Sequence, residues 1–187
     1  MGDNLLFTNF AKLLTYPDDV YSVYCRTALS ELQKYSEENF EKKENLNNAI
    51  AKLEIFISEI ATKTLGEREE IFTQSFDINP IGNLEVGWHL YGEQYERGAF
   101  LVMCRELLRK LNIEESVELP DHLSHLLILV GLMSKEEATK FTEKYILLAL
   151  EKIILKFSEK ENIYENLLQA IKIFLIAKFE IGEKQYV

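Results

Sequence analysis

Apolar residues recur every three to four positions over most of the chain, the spacing of amphipathic helices. Residues 3–15 place Leu5, Leu6, Phe10, Leu13 and Leu14 on one face. "YPDDV" interrupts that pattern, and Pro17 with Asp18 predicts the first turn of a second helix. From Val20 to about Tyr35, Val20, Val23, Tyr24, Ala28, Leu29 and Leu32 keep a helical period. "SEENFEKKEN" reads as a polar connection or an exposed helix end, a third helix follows from about Leu46 to Leu65 with Gly66 ending or bending it, and "EREEIFTQSF" reads as a short fourth.

The pattern then breaks. Residues 77–98 hold the only Trp, one of three prolines and four of the eight glycines, so the stretch is predicted to be irregular. Helical spacing resumes from about Gln94 to Asn112. "NIEESVE" is a loop, and "PDHLSHLLILVGLM" is the next helix, largely apolar after its first turn and so deeply buried. Ser134 and Glu137 have capping-box spacing at the start of a long helix, and a last one spans about Ile163 to Phe179. No alternating strand pattern and no repeat period stands out. The expectation is one all-α domain over 1–187, a bundle of roughly eight to ten helices.

Composition narrows the function. At 187 residues the chain can bury a sizeable core without a disulfide or metal. A formal net charge of −10 repels nucleic acid and anionic membranes and suits a basic partner. The longest apolar run, "LLILVGLM", is too short to span a bilayer. Cys25 and Cys104 lie apart in apolar helical stretches, which predicts buried, reduced thiols in a cytoplasmic protein.

Two segments carry candidate chemistry. In "VELPDHLSHLL", Asp121, His122 and His125 lie close together, and the two imidazoles share a helical face. Zinc needs three or four ligands, and the remaining histidine, His89, is distant in sequence. The plainer reading gives Asp121 the free N–H groups at the start of its own helix. In "HLYGEQYERG", Gly98 would let a helix pack closely against a neighbour, or fix a turn, and Arg97 would pair with Glu93 at the surface. Neither GxSxG, HExxH nor a Gly-rich phosphate loop is present.

In this order, "HLYGEQYERG" followed by "ELPDHL" resembles the NarJ-type (nitrate reductase delta subunit) branch of the TorD/DmsD family of molybdoenzyme maturation chaperones. "LLTYPDD" looks like that family's first loop, and "IFTQSFDINP" is similar to its segment before the glycine-containing turn. The likeness covers about residues 5–150. It departs at "GWH", where family members often have Thr or Ser before the His, so Trp88 lines either the groove or the core.

The resemblance implies an all-helical, cytoplasmic, non-enzymatic protein. Its partner would be the N-terminal segment of the apo catalytic subunit of a molybdenum-containing oxidoreductase, held until molybdenum cofactor insertion and often until export. No cofactor of its own, no nucleic acid and no stable membrane insertion are expected. Asp121 and His122 match the family's peptide-binding pair; Gly92, Arg97 and Gly98 match its turn. Trp88, His89, Tyr91, Glu93 and His125 complete the candidate peptide-binding set. Asp121 would pair a leader Arg or Lys, with His122 tuning that contact near neutral pH. The rival is a small helical metal-dependent enzyme using His89, His122 and His125.

Overall fold

A computed structural model describes residues 2–78, 82–158 and 162–182. Asn79 and Pro80 of "IFTQSFDINP", and the end of the long helix at 159–160, lie outside the described residues. The protein is all-helical, at 78% helix. The helices are α1 (Gly2–Leu13), α2 (Tyr21–Glu38), α3 (Lys43–Ala61), α4 (Leu65–Phe72), α5 (Val86–Tyr91), α6 (Tyr95–Lys110), α7 (Leu123–Leu132), α8 (Lys135–Phe141), α9 (Leu147–Ser158) and α10 (Tyr164–Phe179). A π-helical turn, Thr73–Asp77, extends α4, and another, Thr142–Ile146, joins α8 to α9. No helix among the described residues is long and apolar enough to cross a membrane.

Helix α10 packs on α3 and α9, and α1 packs on α2 and α7. Tyr164, Leu167, Leu168, Ile171, Phe174 and Leu175 of α10 are buried, a stripe wide enough to serve neighbours on more than one side. Phe174 meets Phe7 of α1 edge-on at 5.3 Å and Tyr35 of α2 at 5.5 Å. A second run of rings links Phe56, Tyr164, Phe76 and Phe157. Each such ring removed from water stabilises the fold by about 1.5–3 kcal/mol. The Tyr21 hydroxyl donates to the Leu13 carbonyl at 2.7 Å and so satisfies an acceptor left open at the end of α1.

Several boundaries and faces differ from expectation. In α1 it is Phe7, not Leu5, that joins Leu6 and Phe10 in the core; Leu5 is exposed. In α2 the buried stripe is Tyr21, Cys25, Ala28, Leu32 and Tyr35, while Val20 and Val23 face solvent. Gly66 does not end α3. That helix stops at Ala61, and a reciprocal Thr64–Glu67 capping box starts α4 one residue before Leu65. The stretch predicted to be irregular contains α5, and Gly92 ends it with φ +59. Ser134 caps α8 as its spacing predicts, with Oγ accepting from the Glu137 N–H at 3.3 Å. Cys25 and Cys104 are free and buried, and burial raises both thiols above their ordinary range.

Candidate peptide groove

The site forms where the "EVGWH" and "LPDH" segments meet. An isolated antiparallel bridge joins Glu85 to His122. The Val86 N–H donates to the Asp121 carbonyl at 3.0 Å, and the Leu123 N–H to the Leu84 carbonyl at 2.8 Å. These bonds register the start of α5 against the start of α7, two segments distant in sequence.

Asp121 is wholly buried, and it does not cap its own helix. Its Oδ2 accepts from the Gly87 N–H at 2.8 Å, so it caps α5. Gly87 permits the approach: a Cβ there would lie 2.6 Å from Oδ2 and 2.9 Å from Cδ1 of Phe100. Burial raises the Asp121 pKa, opposed by the Gly87 N–H and by Arg97. The cap of α7 is His122. Its Nδ1 accepts from the Ser124 N–H at 3.3 Å and from the Ser124 hydroxyl at 2.7 Å, so the ring proton sits on Nε2. Burial pushes this imidazole down to about 3. His122 is therefore neutral at physiological pH and does not titrate near neutrality as the sequence reading expected.

Arg97 pairs with Glu85 at 2.5 Å, rather than with Glu93. Its guanidinium lies 5.1 Å from the ring centroid of Trp88, a cation–π arrangement. The partner changed because the bridge to His122 brings Glu85 to Arg97, whereas Glu93 is exposed just after the Gly92 turn.

Beside this cluster runs a groove of about 370 Å³. Phe72, Phe76, Asp77, Asn83, Leu84, Glu85, Glu118 and His122 line it. Its three carboxylates crowd one another. Burial raises Glu118, and the negative charges of Asp77 and Glu85 raise it further. Burial likewise raises Glu85, with Arg97 pulling it back and Asp121 adding to the rise. Ile78, Val117 and Leu119, next in sequence to Asp77 and Glu118, are exposed. The neighbourhood is thus acidic and apolar together.

The structure brings Trp88, Arg97, Asp121 and His122 into one cluster. Three sequence candidates lie outside it, and His125 meets it only through an edge-on ring contact with His122 at 6.3 Å. The His89 Nε2 donates to the Asn83 carbonyl at 2.7 Å, and burial holds its pKa down at about 4. Tyr91 packs on Phe100 at 5.7 Å. Glu93 is exposed and does not line the groove. His125 fastens the preceding loop: Nδ1 donates to the Leu119 carbonyl at 3.0 Å, and Nε2 accepts from the Ser116 N–H at 3.1 Å. Gly98, expected at a close helix contact or a turn, lies inside α6 with nothing near where a Cβ would lie. Among the described residues no three His, Cys, Asp or Glu side chains come together in a way that could hold a metal ion.

Glu85, Glu118 and Asp77 escaped the sequence reading as site residues. Asp77 sits on a π-turn, a local widening often found at functional sites, but that turn has no sequence signature here. "VELP" offered a signal for Glu118, an acidic residue between two apolar ones in a loop.

No family model matches the chain, and no curated protein matches it.

Proposed function

We propose that the protein is a maturation chaperone that binds the N-terminal segment of the apo catalytic subunit of a molybdenum-containing oxidoreductase. The observation that carries this reading is the groove, where Asp77, Glu85 and Glu118 stand beside Phe72 and Phe76. Glu85 and Glu118, both raised by burial and by neighbouring carboxylates, favour a cationic occupant, because a cation relieves that repulsion. Aromatic walls favour apolar side chains beside that cation. A basic, partly apolar leader peptide has this chemistry, and an amphipathic helix would present its anchors three or four residues apart.

The resemblance supports the same reading at two points. The two matched segments, "HLYGEQYERG" and "ELPDHL", hold Arg97 and Asp121, whose side chains both approach Gly87. Among the described residues the Nε2–H of His122 has no hydrogen-bond partner, and it suits a peptide carbonyl at the groove wall. A net charge of −10 hastens encounter with a basic peptide at low salt. In this reading the protein catalyses no reaction, acts before export or membrane attachment, and works in the cytoplasm.

The test is titration calorimetry with a synthetic basic peptide that copies the N-terminal segment of a molybdoenzyme catalytic subunit. Saturable binding that weakens with salt is expected. Glu118→Lys should reduce affinity about ten- to hundredfold by placing a cation in the groove. No binding to the wild-type protein at low salt sinks the proposal.

A further inference from the structure

Arg97 stands between two carboxylates and satisfies only one. Its Nη2 is bonded to Glu85. Among the described residues its Nε is buried without a partner, and so is Oδ1 of Asp121. Both side chains converge on Gly87: a Cβ built there would lie 2.6 Å from Asp121 Oδ2 and 3.5 Å from Cγ of Arg97. A buried donor and a buried carboxyl oxygen therefore sit on two side chains that approach the same glycine, without bonding each other. Native proteins rarely leave such groups open without a use.

The local charges do not balance either. Glu85 and Asp121 are two carboxyl groups, and Arg97 is the one guanidinium that acts on both. Glu85 lines the groove, whereas Asp121 is wholly buried and does not. A cation arriving from the groove can reach Glu85 first. Arg97, released from it, has Asp121 as its other neighbouring carboxyl, since both side chains approach the Gly87 position.

We propose that Glu85 is the docking carboxylate for a guanidinium or ammonium group of the bound peptide. Arg97 is the internal cation that holds this place in the empty protein and passes to Asp121 when the peptide binds. The exchange turns one pair and two open atoms into two pairs. It selects for a cation at that position of the ligand, since a neutral side chain cannot displace Arg97. Trp88 reports it, because the guanidinium leaves or shifts over the only indole in the chain. The docking role rests on the chaperone reading; the pairing of Arg97 with Asp121 can be tested without any ligand.

Two arms test it. In the first, Glu85→Gln is prepared without peptide, and Trp88 emission and the Arg97 Nε–H resonance are recorded. Both should shift, and the double variant Glu85→Gln with Asp121→Asn should return the Nε–H signal toward its wild-type position. If Glu85→Gln does not fold, Glu85→Asp should give a smaller shift in the same direction. Unchanged signals overturn the exchange. In the second arm, wild-type protein is titrated with the N-terminal peptide and with the same peptide carrying citrulline for arginine. The arginine peptide should bind about ten- to hundredfold more tightly and reproduce the Trp88 shift. Glu85→Gln should erase that preference. Binding with no change at Trp88 or Arg97 overturns the exchange while the groove stands. Absence of binding by either peptide overturns the chaperone reading, and Glu85's docking role with it.

Discussion

The carboxylate of Asp121 accepts the Gly87 N–H at 2.8 Å, across 34 residues of sequence. It ties the start of α5 to the segment before α7, and every side chain of the cluster depends on that junction. Asp121→Ala leaves the Gly87 N–H buried and unsatisfied and should destabilise by about 1–3 kcal/mol. Asp121→Asn keeps an oxygen for that N–H and removes a desolvated charge, so its cost should be smaller. Urea denaturation of the three proteins orders them; an alanine variant as stable as asparagine would falsify the capping role.

Two glycines in the same region should behave in opposite ways. Gly87→Ala drives a methyl to 2.6 Å from the Asp121 carboxylate and 2.9 Å from Phe100, a cost of about 1–3 kcal/mol. Gly98 lies inside α6 with open space around it, so Gly98→Ala should stabilise by roughly 0.5–1 kcal/mol through helix propensity. Melting temperatures should move in opposite directions. A fall for both would mean that Gly98 is close-packed after all.

Stability should depend on pH through His89 and His122. Their folded pKa values, about 4 and about 3, lie below the ordinary 6.5. The unfolded chain therefore takes up the protons first as pH falls. The stabilisation is complete above pH 6.5 and is lost as pH drops toward 4 and 3 respectively. Each group contributes up to about 1.4 kcal/mol per pH unit within its window. His122→Asn, which can still cap α7, should flatten the loss between pH 6.5 and 5 by about that slope. An unaltered slope in chemical denaturation at several pH values counts against the buried neutral imidazole.

His125 should control the loop and not the ligand. It closes 116–119 from both ring nitrogens. His125→Ala should speed hydrogen exchange at the Ser116 amide at least tenfold, since a single lost bond of about 1.4 kcal/mol has that effect. Peptide affinity should fall less, because the ring does not line the groove. A fall in affinity with unchanged exchange would make His125 a contact residue.

The sequence by itself determined that the chain is helical, that it holds roughly eight to ten helices, and where most of them lie. Three- and four-residue spacing on α10 or α7 depends on nothing beyond the segment itself. Ser134 likewise announces its helix, because a cap needs only residues three apart. What the sequence could not determine is which neighbour answers each polar group. Arg97 had Glu93 close in sequence and Glu85 farther away, and the bridge between Glu85 and His122 decided for Glu85. Asp121 had its own helix to cap, and the close packing at Gly87 gave it another. The groove is of the same kind: Asp77, Glu85 and Glu118 come from three separate segments and share a wall only after the helices pack. Local periodicity is a property of consecutive residues, whereas a charge's partner and its pKa belong to a tertiary neighbourhood that no stretch of sequence contains.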